Sequence, residues 1–114
     1  MKPGIFAGML LAFSIALSLS SQAVAMDAEA AQKLAKKNDC FKCHAIDKTK
    51  KGPAYKKIAA KYADKRAEGE KKMYENVTTS PMVELEDGTK EEHKVLKAKD
   101  EEIKNLIQWI LSLK

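Results

Sequence analysis

The chain has 114 residues, with 21 Lys and Arg against 16 Asp and Glu, two histidines, two cysteines and one tryptophan. That is one small domain with a modest core, a size at which a metal, a disulfide or a cofactor usually supplies part of the stability. Nucleotide-binding glycine loops, internal repeats and low-complexity tracts are absent from the sequence. Its basic residues are interspersed with acids, a pattern that argues against a nucleic-acid surface.

The first stretch reads as an export signal. Lys2 supplies a positive start, Ile5 to Leu19 is apolar apart from Gly8, Ser14 and Ser18, and Ala23-Val24-Ala25 is a small-x-small cleavage site. The apolar run is too short for a stable membrane span. Residues 1–25 are therefore expected to be cleaved, leaving residues 26–114 as the single mature domain. With Lys2 gone, 20 basic residues face 16 acids, a net charge of about +4.

Asp27 is placed to cap a helix over residues 28–37, acidic at its front and lysine-rich at its back, with Ala31, Leu34 and Ala35 as a thin apolar stripe. Asn38-Asp39 ends it and leads into Cys40-Phe41-Lys42-Cys43-His44. Two cysteines three apart with a histidine directly after the second form the attachment signature of a c-type haem. On a helical turn the i, i+3 sulfurs face the same way, so Cys40 and Cys43 can form two thioethers while His44 supplies the proximal imidazole to iron. Export makes a disulfide the first competing use of the pair. A thioredoxin-like redox pair would need a βαβ pattern that this helix-periodic chain lacks. Zinc held by Cys40, Cys43, His44 and His93 would need the adjacent Cys43 and His44 as awkward tetrahedral partners. Haem c accounts for the spacing best.

A charged loop over residues 45–53 closes on Gly52-Pro53. A helix over residues 54–62 then follows, with Tyr55, Ile58, Ala59 and Tyr62 on one face, the tyrosines as core. A further helix near residues 66–76 offers Ala67, Met73, Tyr74 and Val77 inward, and Gly69 weakens it. Met82-Val83-Glu84-Leu85-Glu86 alternates apolar and charged before Asp87-Gly88, the signature of a two-residue hairpin turn, so a short β-hairpin is expected near residues 82–95. That turn pairs Leu85 with Lys90 and Met82 with His93. The last helix is capped by Asp100, has Glu101 and Glu102 at its positive end, and buries Ile103, Leu106, Ile107, Ile110 and Leu111.

The attachment motif, Gly52-Pro53-Ala54-Tyr55, Ala59-Ala60-Lys61-Tyr62 and the terminal Ile107-Gln108-Trp109-Ile110-Leu111-Ser112-Leu113-Lys114 together resemble the short bacterial class I cytochromes c, except over roughly residues 78–99. The resemblance implies an all-α fold of three to five helices around one covalent haem, its N- and C-terminal helices crossing, with His44 as proximal ligand. It also implies a periplasmic monohaem electron carrier and not an enzyme. Where that family places an axial methionine in a Met-Pro-Pro loop before the last helix, this chain has no such motif and carries His93 instead. Met82, after Pro81, is the competing sixth ligand, and an open or water-ligated iron is the remaining case. His/His ligation would give a lower potential than an imidazole and a thioether.

Electron transfer is the leading function. Lys42, Lys48, Lys50, Lys51, Lys56 and Lys57 lie in sequence near the attachment site, and such a set would steer an acidic redox partner. The alternative is a haem-based sensor of small gases in which His93 detaches on reduction. A peroxidase-like enzyme is argued against by the short mature chain, which has no spare histidine or arginine pair. The chain is expected to act as a monomer or weak dimer, with no stable membrane insertion once the signal is cut.

Overall fold

The computed structural model describes residues 3–4 and 25–114; the expected signal segment lies almost wholly outside them, with only Pro3, Gly4 and Ala25 inside. Among the described residues, five helices and one two-stranded sheet follow in the order α1 (Ala28–Lys37), α2 (Cys40–Cys43), α3 (Tyr55–Lys61), α4 (Arg66–Thr79), β1 (Met82–Glu84), β2 (Lys90–Glu92) and α5 (Asp100–Ser112). The all-α expectation with one short hairpin holds.

α5 is the element around which the others gather, packing against α1, α3 and α4. The reason is its composition: Ile103, Leu106, Ile107, Trp109, Ile110 and Leu111 are all buried, so apolar residues occupy more than one side of the cylinder. At roughly 1.5–3 kcal/mol for each large apolar side chain buried, this helix supplies much of the core. α1 meets it through Ala31, Leu34 and Ala35. Two of these are alanines, which let the terminal helices approach closely.

Polar side chains lock the helix pairs. Asn105 on α5 accepts the Asp27 N–H and donates to the Asp27 carbonyl, both at 2.8 Å, tying down the start of α1. Asp27 in turn caps α1 by accepting the Ala30 N–H at 3.0 Å. At the other end of α1, buried Asn38 donates to the Leu34 carbonyl at 3.1 Å and accepts the Lys97 N–H at 3.0 Å. On α4, Glu70 accepts from the Gln108 amide at 2.9 Å.

Several local expectations are corrected. α3 starts one residue later, at Tyr55, and Tyr62 is its C-cap, although the expected inward face of Tyr55, Ala59 and Tyr62 is buried. α4 runs to Thr79, three residues further than expected, with Ala67 exposed and Gly69 buried in its place. A Cβ on Gly69 would lie 2.6 Å from Cγ of Tyr62, so this helical glycine is where α4 rides against the tyrosine ring. Asp100 is the first residue of α5 and not its cap. Its carboxylate accepts from the Tyr74 hydroxyl at 2.6 Å and pairs with Lys104 at 2.8 Å, while Glu102 accepts the Lys99 N–H at 3.3 Å.

The hairpin exists, but its register differs by one residue. Met82 pairs with Glu92, Val83 with Glu91 and Glu84 with Lys90. The expected two-residue turn is a three-residue loop over residues 86–88, closed by the Gly88 N–H to the Leu85 carbonyl at 2.9 Å and the Leu85 N–H to the Thr89 carbonyl at 2.7 Å. Gly88 has φ +85, the left-handed residue that a three-residue hairpin loop requires. Asp87 selects this loop by accepting both the N–H and the hydroxyl of Thr89, at 3.0 and 2.6 Å. Because side chains alternate across a strand, a one-residue slip reverses which of them share a face.

Candidate functional site

α2 is a single helical turn, so Cys40 and Cys43 stand on the same side of it, both half-buried and with free thiols. The chain enters this turn through Asp39, held in the left-handed region at φ 58, and leaves it at His44, whose extended backbone breaks the helix. Burial pushes the Cys40 thiol above its ordinary value, against the smaller opposite effects of Tyr55 and Lys94.

His44 is fixed from three directions. Its Nδ1–H donates to the Pro53 carbonyl at 2.7 Å. Its ring stacks on Tyr55, with centroids 5.0 Å apart and planes 19° apart. Gly52 lies flat against it: an added Cβ would sit 2.7 Å from Cε1 and 3.2 Å from Nε2. The loop is folded into place by the Gly52 N–H to the Cys43 carbonyl at 2.8 Å and the Tyr55 N–H to the Ala45 carbonyl at 2.9 Å. Tyr55 is itself braced edge-on by Trp109, at 5.9 Å, and by Phe41, at 6.0 Å. Desolvation lowers the pKa of His44, against the smaller opposite effect of its bond to Pro53, so burial favours the neutral imidazole.

The other histidine comes from the hairpin. The His93 N–H donates to the Pro81 carbonyl at 2.9 Å, its carbonyl accepts from the Ser80 hydroxyl at 2.7 Å, and its Nδ1 bonds the Lys94 carbonyl at 3.0 Å. The two imidazoles lie near one another, tilted, with centroids 6.3 Å apart and planes 39° apart. Each is tied through Nδ1 to a backbone carbonyl, the arrangement by which metal-binding histidines are oriented, and each leaves Nε2 unclaimed. A centroid separation of 6.3 Å leaves room for one metal ion between the rings. Two thiols on one turn and two neighbouring imidazoles are donors of the kind that would hold the haem iron the motif implies.

Met82 is placed differently. It pairs with Glu92, one residue out of register with His93, and is 60% exposed. The three-residue loop removes the Met82–His93 pairing on which the expected convergence of the two candidate ligands rested. Met73 is core, as its place in a helical stripe indicated. The six lysines near the attachment turn are all exposed. Three of them are engaged locally: Lys42 with Asp39 at 3.7 Å, Lys56 with Asp47 at 2.6 Å, and Lys50 with the Phe41 carbonyl at 2.6 Å. Ser80, Asn38 and Gly52 were not singled out by periodicity. A serine just past a helix end and a glycine before a proline are the only local signals they carry.

A family model described as Cytochrome c matches residues 28–114. Among solved structures, the class 1 cytochrome MtoD from Sideroxydans lithotrophicus ES-1 is similar at 52% identity and a TM-score of 0.74, over 78% of this chain and 98% of that one. Wild-type cytochrome c552 of Nitrosomonas europaea is similar at 33% identity and a TM-score of 0.59, over 73% of this chain and 99% of that one. A curated relative, cytochrome c-552 of Nitrosomonas europaea, is 54% identical over 46 residues. That match spans 40% of this chain and less than half, 45%, of the relative.

Proposed function

The chain belongs to the cytochrome c family, as a class I member with one covalent haem c, and from that premise we propose that it is an exported, periplasmic one-electron carrier whose iron is held between His44 and His93. Haem-based electron transfer to and from redox partners is the family's activity. When attached, the haem supplies the ferric and ferrous states. The protein's own part is to anchor, orient and cover it. Cys40 and Cys43 are the attachment thiols, and His44 is the proximal ligand, its ring plane set by Pro53, Gly52 and Tyr55.

The observation that carries the His93 assignment is the 6.3 Å separation of two imidazoles whose Nε2 atoms are both free. Exposure of Met82 supports the same reading. Two imidazoles in place of an imidazole and a thioether set the potential below that of a His/Met relative. The gas-sensing alternative gains nothing from this geometry, since the His93 backbone is held on both sides. The role is carriage and not catalysis.

Among the described residues no helix is long and apolar enough to cross a membrane. Export through cleavage after Ala25 is part of the proposal, and a mature N-terminus at Met26 is its mark. Of the six, exposed Lys48, Lys50, Lys51 and Lys57 form no ion pair among the described residues and are the charges left to attract an acidic partner, so exchange with such a partner is expected to slow as salt rises.

The test is spectroelectrochemistry on the purified exported protein. It is expected to retain its haem through denaturation, to titrate as one electron, and to change both spectrum and potential in His93→Ala. A His93→Ala protein matching the parent in both would remove His93 from the iron.

A further inference from the structure

The His93 ring is bonded to the carbonyl of its own neighbour, Lys94, so this bond orients the imidazole relative to its backbone but does not fix that backbone in the fold. Where residues 93–94 go, the ring goes. Three contacts decide that position. One is the backbone bond to Pro81 within the hairpin ladder. The second is the Ser80 hydroxyl on the His93 carbonyl at 2.7 Å. The third crosses the site: Lys94 Nζ lies 3.1 Å from the Asp39 carboxylate, 55 residues away in sequence.

We propose that Ser80 and the Asp39–Lys94 ion pair are positioning residues that keep His93 seated on the iron, so that cutting either speeds its departure in the reduced protein. This rests on the assignment of His93 as sixth ligand. Ser80 is the C-cap of α4 and sits in the left-handed region at φ 52, where glycine is the usual occupant. Glycine would relax the backbone but would give up the side-chain donor that Ser80 places on the His93 carbonyl. Asp39 is the residue before Cys40, so the ion pair links the chain carrying the sixth ligand to the turn carrying the haem attachment. Both partners are about half exposed, and Lys42 competes for the same carboxylate oxygen at 3.7 Å. Such a pair adds little to global stability, and its effect falls on the local freedom of the hairpin.

The experiment is stopped-flow mixing of the dithionite-reduced holoprotein with carbon monoxide, which must wait for His93 to leave. In Ser80→Ala the limiting rate is expected to rise about fivefold, the equivalent of one neutral hydrogen bond. Asp39→Asn keeps a residue that tolerates the left-handed backbone while removing the charge. Its rate is expected to rise about twofold to threefold at low salt and to lose the acceleration that added salt gives the parent. Should Ser80→Ala fail to fold, Asp39→Asn carries the test alone. Rates and salt dependence equal to the parent in both variants, with His93→Ala binding carbon monoxide at once, would overturn the positioning role and leave the ligand assignment standing. A His93→Ala protein no faster than the parent would overturn the ligand assignment itself.

Discussion

The two flanks of the proposed haem site, the His44 side and the His93 side, are built by different means. The His44 flank is made almost entirely from residues 40–55: one turn of helix, one folded loop, a carbonyl at 2.7 Å and a glycine pressed against the ring. The His93 flank is assembled from parts distant in sequence, namely Ser80 at the end of α4, Pro81 before β1 and Asp39 across the site. One side is fixed by close packing, the other by a few hydrogen bonds and an exposed ion pair. The difference predicts that the proximal side resists change until it breaks, while the distal side loosens by degrees.

Within these two flanks, the largest effect expected from a single methyl group is at Gly52. Gly52→Ala puts a Cβ 2.7 Å from His44 Cε1 and 2.8 Å-bonded backbone leaves it little room to shift. A loss of about 2–3 kcal/mol in denaturant titration, with an altered haem spectrum, is expected. Retention of the parental spectrum and stability would mean that the proximal flank is no tighter than the distal one. Next is Asn38→Ala, which removes a buried amide bonded to both Leu34 and Lys97 and so uncouples α1 from the segment before α5. It is expected to cost about 2 kcal/mol while leaving the spectrum unchanged, measured by thermal unfolding of the holoprotein.

Gly88→Ala is the distal counterpart of Gly52→Ala. Open space surrounds this position, but its φ of +85 strains any side chain. The expected loss is about 1 kcal/mol, with the hairpin and not the iron affected. The smallest effect lies outside both flanks. Lys104, with the Tyr74 hydroxyl adding to it, holds the exposed Asp100 carboxyl below its ordinary range. A depressed carboxylate pKa stabilises the fold above the unfolded value of about 4 and loses that contribution as pH falls through the folded value. Tyr74→Phe should therefore reduce slightly the drop in stability on acidification, with no change in haem spectrum at any pH. A spectral change there would tie the α5 start to the site.

The same contrast explains what could be read before folding. Cys40-x-x-Cys43-His44 is local chemistry, and the α5 stripe is plain periodicity, so both appear in the sequence as they do in the fold. The hairpin was legible from alternation and Asp87-Gly88, but its register was not. A turn of two residues and a loop of three share that dipeptide, and the choice falls to Asp87 bonding Thr89. His93 is proposed from its place in the chain, whereas Ser80 and Asp39 reach the His93–Lys94 segment only through tertiary contacts that no local pattern encodes. The partners of Asn38 and Asn105 are likewise silent in sequence, because a polar residue at a helix end or on a helix flank looks solvated until those partners are known.

Near-infrared magnetic circular dichroism of the oxidised protein addresses the proposed His44 and His93 ligation most directly, since it separates bis-imidazole from imidazole–thioether iron. A bis-imidazole band in the parent that disappears in His93→Ala is the expected result. An imidazole–thioether band, or one that survives the loss of His93, would contradict it.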